Sequence, residues 1–151
     1  MWQILCNFKM SIPENMEIFM RKVLFAMTFM MMLALLSGCY SFKNNHRTVV
    51  DVTNHFTING LHIDVIQPLF PYFNADNAIS LKIEGKEIGI YKYNINVPKQ
   101  LERLKSIHSE RCVYVEGMKY PVLVNGTFML LGYEVNPKRD RIIELFNSFP
   151  N

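Results

Sequence analysis

The pattern of hydrophobic and polar positions divides the chain into stretches of different character. Residues 23–36 form an uncharged run in which Phe25-Ala26-Met27-Thr28-Phe29-Met30-Met31-Met32 leaves no polar side for solvent, so it does not read as an amphipathic surface helix. Residues 40–46 are polar and without period, as a short tether would be. Beyond them the pattern becomes that of a folded domain. Residues 48–52 and 56–66 carry β-branched side chains with partial alternation, interrupted by Asn59-Gly60, which predicts one or two strands with a turn or bulge between them. Pro68 and Pro71 bracket Leu69-Phe70, and Tyr72-Phe73 follows; prolines keep this aromatic segment out of a central strand and predict a loop folded over an apolar face. Residues 74–77 supply a turn.

From residue 78 to 84 the alternation is regular, with Ile79, Leu81 and Ile83 on one side and Ser80, Lys82 and Glu84 on the other, the signature of a half-buried strand. Gly85-Lys86-Glu87 reads as a hairpin loop and residues 88–94 as the antiparallel return, with Ile88 and Ile90 facing one way and Tyr91 and Tyr93 the other. Pro98 opens a helix, because proline is tolerated in the first turn and Leu101, Leu104 and Ile107 follow among charged residues. Residues 112–116, 120–124 and 128–134 predict a three-strand meander, its last turn at Asn125-Gly126, where both residues tolerate positive φ. Asn136-Pro137 marks a boundary, and residues 140–149 form a closing helix with Ile142, Ile143, Leu145, Phe146 and Phe149 inward. The expected fold class is α+β. It comprises a mostly antiparallel sheet of about five to six strands, with two helices (after residues 98 and 137) packed on one face, preceded by a signal helix.

Composition changes the picture in one respect. Eight of the ten Met residues fall within the first 32 positions, whereas from Cys39 onward there are 13 Lys+Arg and 11 Asp+Glu in 113 residues, an ordinary small domain. The net charge of +3 argues against a nucleic-acid binder, which would cluster its bases on one face. The apolar excess therefore belongs to a segment. Arg21-Lys22 follows Met20, an apolar run of about 14 residues follows, short of the roughly 20 a membrane span needs, and small residues close it at Leu36-Ser37-Gly38-Cys39. This is the layout of a secretory signal.

Leu36-Ser37-Gly38-Cys39 resembles the lipobox of bacterial lipoproteins, an aliphatic residue and two small residues before a Cys. The resemblance covers residues 20–39. It implies cleavage between Gly38 and Cys39, guided by Leu36, Ser37 and Gly38, with diacylation of the Cys39 sulfur and acylation of the new amino terminus in most Gram-negative bacteria. With palmitate-class chains contributing about 0.8 kcal/mol per buried methylene, several of them make anchoring effectively permanent. In the sorting scheme the resemblance implies, an Asp after the lipidated Cys retains a protein in the inner membrane; Tyr40 stands there, so the outer membrane, facing the periplasm, is the expected location. The organisation is then residues 1–19 as a non-native upstream extension, 20–38 as signal peptide, 39–46 as tether and 47–151 as one α+β domain. A cytoplasmic extension is the alternative for residues 1–19. The resemblance does not extend to the domain itself.

Cysteine usage follows the same division. With Cys6 upstream and Cys39 acylated, Cys112 has no internal partner in an oxidising compartment, which leaves a small buried hydrophobe or an intermolecular disulfide. His46, His55, His62 and His108 lack metal spacing, and Asp51 and Asp64 have no nucleophile or paired carboxylate near them in sequence. No cofactor and no metal is expected, and no reaction is specified. Asn125-Gly126-Thr127 matches a glycosylation sequon, for which the hairpin reading suffices. The tyrosines are more suggestive. If Tyr91 and Tyr93 share an outer sheet face with Tyr114 or Tyr133, they form a partner-binding patch; the alternative is that a helix covers them. Two function classes follow: a non-enzymatic binding or assembly module that contacts another envelope protein, or a small periplasmic enzyme or ligand-binding domain acting on peptidoglycan or polysaccharide, which requires a pocket with convergent polar groups.

Overall fold

The computed structural model describes residues 21–25, 27 and 42–150. Two compact units divide at residue 39. In the first, residues 21–25 and 27 are helical; the proposed extension 1–19, most of the signal, and Leu36, Ser37, Gly38, Cys39 and Tyr40 lie outside the described residues.

The second unit is an antiparallel sheet with helices on both faces. Its elements are α1 (Val49–Ile58), β1 (Val65–Pro68), β2 (Asn77–Ile83), β3 (Lys86–Lys92), α2 (Pro98–Glu110), β4 (Cys112–Val115), β5 (Met118–Asn125), β6 (Phe128–Leu131), a single 3-10 turn (Tyr133–Val135) and α3 (Arg139–Ser148). The sheet order is β1-β2-β3-β6-β5-β4: two meanders, each preceded by a helix, joined where β3 lies antiparallel to β6. The α+β class and the antiparallel six-strand sheet match the sequence pattern.

The alternation of β2, β3 and β6 is what gives the sheet two apolar faces. Leu81, Ile83, Ile88, Ile90, Phe128 and Leu130 face one way and pack with Val49, Val52 and Phe56 of α1 and Ile142, Leu145 and Phe146 of α3. Ala78, Tyr91, Val122 and Met129 face the other way and pack with Leu104 and Ile107 of α2. Helices on a single face would have left this second face exposed. Burying each such side chain contributes about 1.5–3 kcal/mol, so both faces attract cover.

The largest departure from the sequence pattern is α1. Residues 48–52 and 56–58, expected in strands, fall within the capped helix Val49–Ile58 because Thr48 and Asp51 make a capping box: the Asp51 amide donates to the Thr48 hydroxyl at 3.3 Å, and the Thr48 amide donates to the Asp51 carboxylate at 2.7 Å. Val49, Val52 and Phe56 then share one buried stripe at helical spacing, and packing outweighs the modest helix penalty of β-branched residues. Asn59-Gly60 does act as a stop, with Gly60 at φ 81° just past the helix end. The extended segment that remains, β1, is a short edge strand closed by Pro68, in keeping with proline's confinement to sheet edges.

Three turns are displaced from their expected positions. The β2–β3 turn is Glu84-Gly85, both at positive φ, so Lys86 and Glu87 belong to β3. In the β5–β6 hairpin Asn125 pairs with Phe128, leaving Gly126-Thr127 as the two-residue loop. Strand β6 stops at Leu131, where Gly132 at φ 80° turns the chain into the Tyr133–Val135 3-10 turn.

Candidate functional site

The pairing Lys92↔Asn77 and Lys92↔Phe128 aligns three strands at one end of the sheet, and most of the unusual features of the domain gather there. One is the amino-terminal arm. Residues 42–46, expected as free tether, are docked. Asn44 is buried with φ 72°, and its carbonyl accepts from Lys92 Nζ at 3.0 Å and from the Thr127 hydroxyl at 3.2 Å. Asn45 Oδ1 accepts from the Ile95 amide at 3.1 Å, and the Phe42 ring stands edge-on to the His108 imidazole at 5.8 Å. The packed part of the domain thus reaches back ahead of Arg47 to include residues 42–46, because Asn44 and Asn45 satisfy buried groups that would otherwise be costly to leave unpaired.

Lys92 is the counterpart of that arm. Its ammonium also bonds the Thr127 hydroxyl and lies 4.8 Å from the centre of the Phe128 ring. Burial pulls its pKa down from the ordinary 10.5 to about 8, opposed only by the charge of Asp76. An amine neutral near pH 8 is a nucleophile in other settings, but this one is 6% exposed and covered by Asn44 and Thr127. Its geometry is that of a clamp on the arm.

The second feature is the loop between β1 and β2. Leu69 and Phe73 pack into the core under α2, while Phe70 and Tyr72 are 68% and 56% exposed. Their rings contact each other at 4.9 Å, and a chain of ring contacts continues inward through Phe73 to Tyr91. The loop is held at the same end of the sheet: the Asp76 amide donates to the Lys92 carbonyl at 2.7 Å, and the Tyr93 hydroxyl donates to the Phe73 carbonyl at 3.5 Å. Sequence reasoning found the loop and its apolar contact. It did not separate Leu69 and Phe73, which anchor, from Phe70 and Tyr72, which project.

The four tyrosines expected as one partner surface are not brought together. Tyr91 and Tyr93 are 4% and 0% exposed under α2, because the second sheet face needs a helix. Burial raises both hydroxyl pKa values. Tyr133, 7% exposed, belongs to the opposite core with α1 and α3. Tyr114, on the edge strand β4, is 58% exposed. Cys112 is buried beside it.

The titratable residues considered for chemistry are each engaged locally. The Asp51 carboxyl is held below its usual range by the Thr48 amide and hydroxyl. The Asp64 carboxylate accepts from the Gly85 amide at 3.2 Å and lies 3.5 Å from His62. His55 Nε2 is 3.3 Å from the Ser148 hydroxyl, and its ring stands edge-on to Phe149. Burial and the Arg111 charge lower the pKa of His108. Among the described residues no group of His, Cys, Asp and Glu is placed to hold a metal ion, and no helix is long and apolar enough to cross a membrane. Of the basic run at residues 138–141, Lys138 approaches Glu84 at 3.8 Å, and Arg141 bonds Glu144 and the Asn59 carbonyl.

Comparison with protein-family models, with curated proteins and with solved structures gives no significant match.

Proposed function

We propose that this chain is a small lipid-anchored envelope lipoprotein, mature from Cys39, and that it serves as a non-enzymatic binding or assembly module. The observation that carries the anchored reading is the Leu36-Ser37-Gly38-Cys39 sequence at the end of an uncharged run, a few residues before the docked arm at residues 42–46. Acyl chains on Cys39 hold the domain at a membrane facing the periplasm, with the outer membrane as destination because Tyr40, not Asp, follows the cysteine.

The binding reading draws on how the polar residues are spent. Asp51, Asp64 and Lys92 bond the domain's own backbone or side chains. The partner is another envelope protein, and the free edge of the sheet at β4 is where it docks. That strand pairs with β5 alone among the described residues and presents an exposed tyrosine, a side chain suited to a surface that is apolar at one end and wet at the other.

The test is a photo-crosslinking amino acid placed at Tyr114 or, as control, at exposed Val50, in cells carrying the native or the Cys39→Ala protein. The proposal requires one recurrent adduct from Tyr114 in the membrane-anchored protein and none from Val50. Equal adducts from both positions refute the binding surface. Retention of Cys39→Ala in the outer-membrane fraction refutes the anchor.

A further inference from the structure

We propose that the end of the sheet holding the amino-terminal arm lies against the phospholipid bilayer, with Phe70, Tyr72 and Val97 seated among the lipid headgroups. This rests on acylation of Cys39.

Only Tyr40 and Ser41 separate Cys39 from Phe42. Three residues of chain reach about 10 Å at most. A free tether of eight residues would let the domain tumble above the membrane, but the arm is fixed from Phe42 onward by the Asn44 carbonyl on Lys92 and Thr127 and by Asn45 on Ile95. The anchor therefore brings one particular end of the domain to the bilayer, and that end carries the exposed Phe70-Tyr72 pair and Val97 at the start of α2. The loops are placed there by register: Asn77, Lys92 and Phe128 are aligned, the aromatic loop leads into Asn77, and residues 93–97 leave Lys92.

The side chains suit an interface. Tyrosine favours the headgroup level of a bilayer, and phenylalanine seats in the apolar side of the headgroup–acyl boundary. The segments at this end, residues 42–47, 69–77 and 93–99, contain Lys43, Arg47 and Lys99 against one acid, Asp76, a balance that favours anionic phospholipid. Exposed Ile58 and Val135 lie at the other end of the sheet, beyond α1 and β6, and serve as internal controls.

The sequence contains one Trp, Trp2, which signal cleavage removes, so an introduced Trp is the sole reporter in the mature protein. The full chain is expressed with its signal as Phe70→Trp, Tyr72→Trp or Ile58→Trp. Each membrane-extracted product is checked for incorporation of labelled palmitate and reconstituted into phosphatidylethanolamine–phosphatidylglycerol vesicles with or without bromine near the headgroups. Bromine should quench Phe70→Trp and Tyr72→Trp emission at least twofold and leave Ile58→Trp unchanged. Palmitate incorporation with no quenching at residues 70 and 72, or with equal quenching at residue 58, overturns the orientation while leaving the lipoprotein reading intact. Failure of palmitate to enter overturns both. A circular-dichroism melt of each variant, matching that of the native protein, establishes that the reporters sit in a folded domain.

Discussion

Replacing Lys92 by Met should change how the domain's stability depends on pH. The folded amine titrates at about 8 and the unfolded one near 10.5. Below about pH 8 both states are protonated and the cost of burying the charge is constant. Between about pH 8 and 10.5 the unfolded chain holds a proton that the folded domain has released, so stability rises with pH in that window. At about pH 9.5 the folded amine is largely neutral and the unfolded one still largely charged, a ratio of about thirty in the linkage expression, or about 2 kcal/mol relative to pH 7. Met keeps an unbranched side chain of similar length and removes the titration, while Thr127 retains its bond to the Asn44 carbonyl. Urea unfolding followed by circular dichroism at stepped pH should show the native protein gaining about 2 kcal/mol between pH 7 and 9.5 relative to Lys92→Met. Parallel pH profiles for the two proteins would refute the buried-charge account of Lys92.

Other perturbations test separate parts of the fold. Above about pH 10 both proteins should lose stability, because Tyr91, Tyr93 and Tyr133 have raised pKa values and keep their protons while unfolded tyrosines ionise; a profile still rising at pH 11 contradicts their burial. Thr48→Ala removes the hydroxyl of the capping box and should cost about 1 kcal/mol in urea unfolding, whereas a strand at these residues would be indifferent. Asn125 Nδ2 donates to the carbonyls of Phe146 and Phe149 at 2.6 and 3.1 Å, so Asn125→Ala leaves two buried acceptors unpaired and should destabilise by about 1–3 kcal/mol. Cys112, buried and unpaired within the domain, should react with a thiol reagent only at the rate of unfolding; rapid labelling of the native protein would contradict that.

What the sequence made legible follows a physical division. The period-two pattern of residues 78–84 and its antiparallel return were readable because each side chain's face follows from parity alone, and the β2–β3 register bears this out. The helix after Pro98 was readable for the same local reason. Residues 48–58 were not, since Val49, Val50, Val52 and Thr53 favour strands intrinsically and only the capping box with the stripe Val49, Val52, Phe56 decides otherwise. The Asn125-Gly126 turn is shifted by one residue because long-range partners fix the register: Asn125 reaches the end of α3, and Thr127 reaches Lys92 and Asn44. The same kind of contact hid the docked arm, whose polar, aperiodic sequence looks like a linker until its buried partners are known. The tyrosine surface failed on a global property. Two apolar sheet faces required a helix on each, and α2 covers Tyr91 and Tyr93.

The proposed lipid anchor requires Cys39 to be the acylated first residue of the mature protein. Intact-mass and tandem mass spectrometry of the protein extracted from membranes should find an amino-terminal peptide that begins at Cys39 and carries acyl chains on its sulfur. A peptide running unbroken through Gly38-Cys39 with an unmodified cysteine would contradict the account.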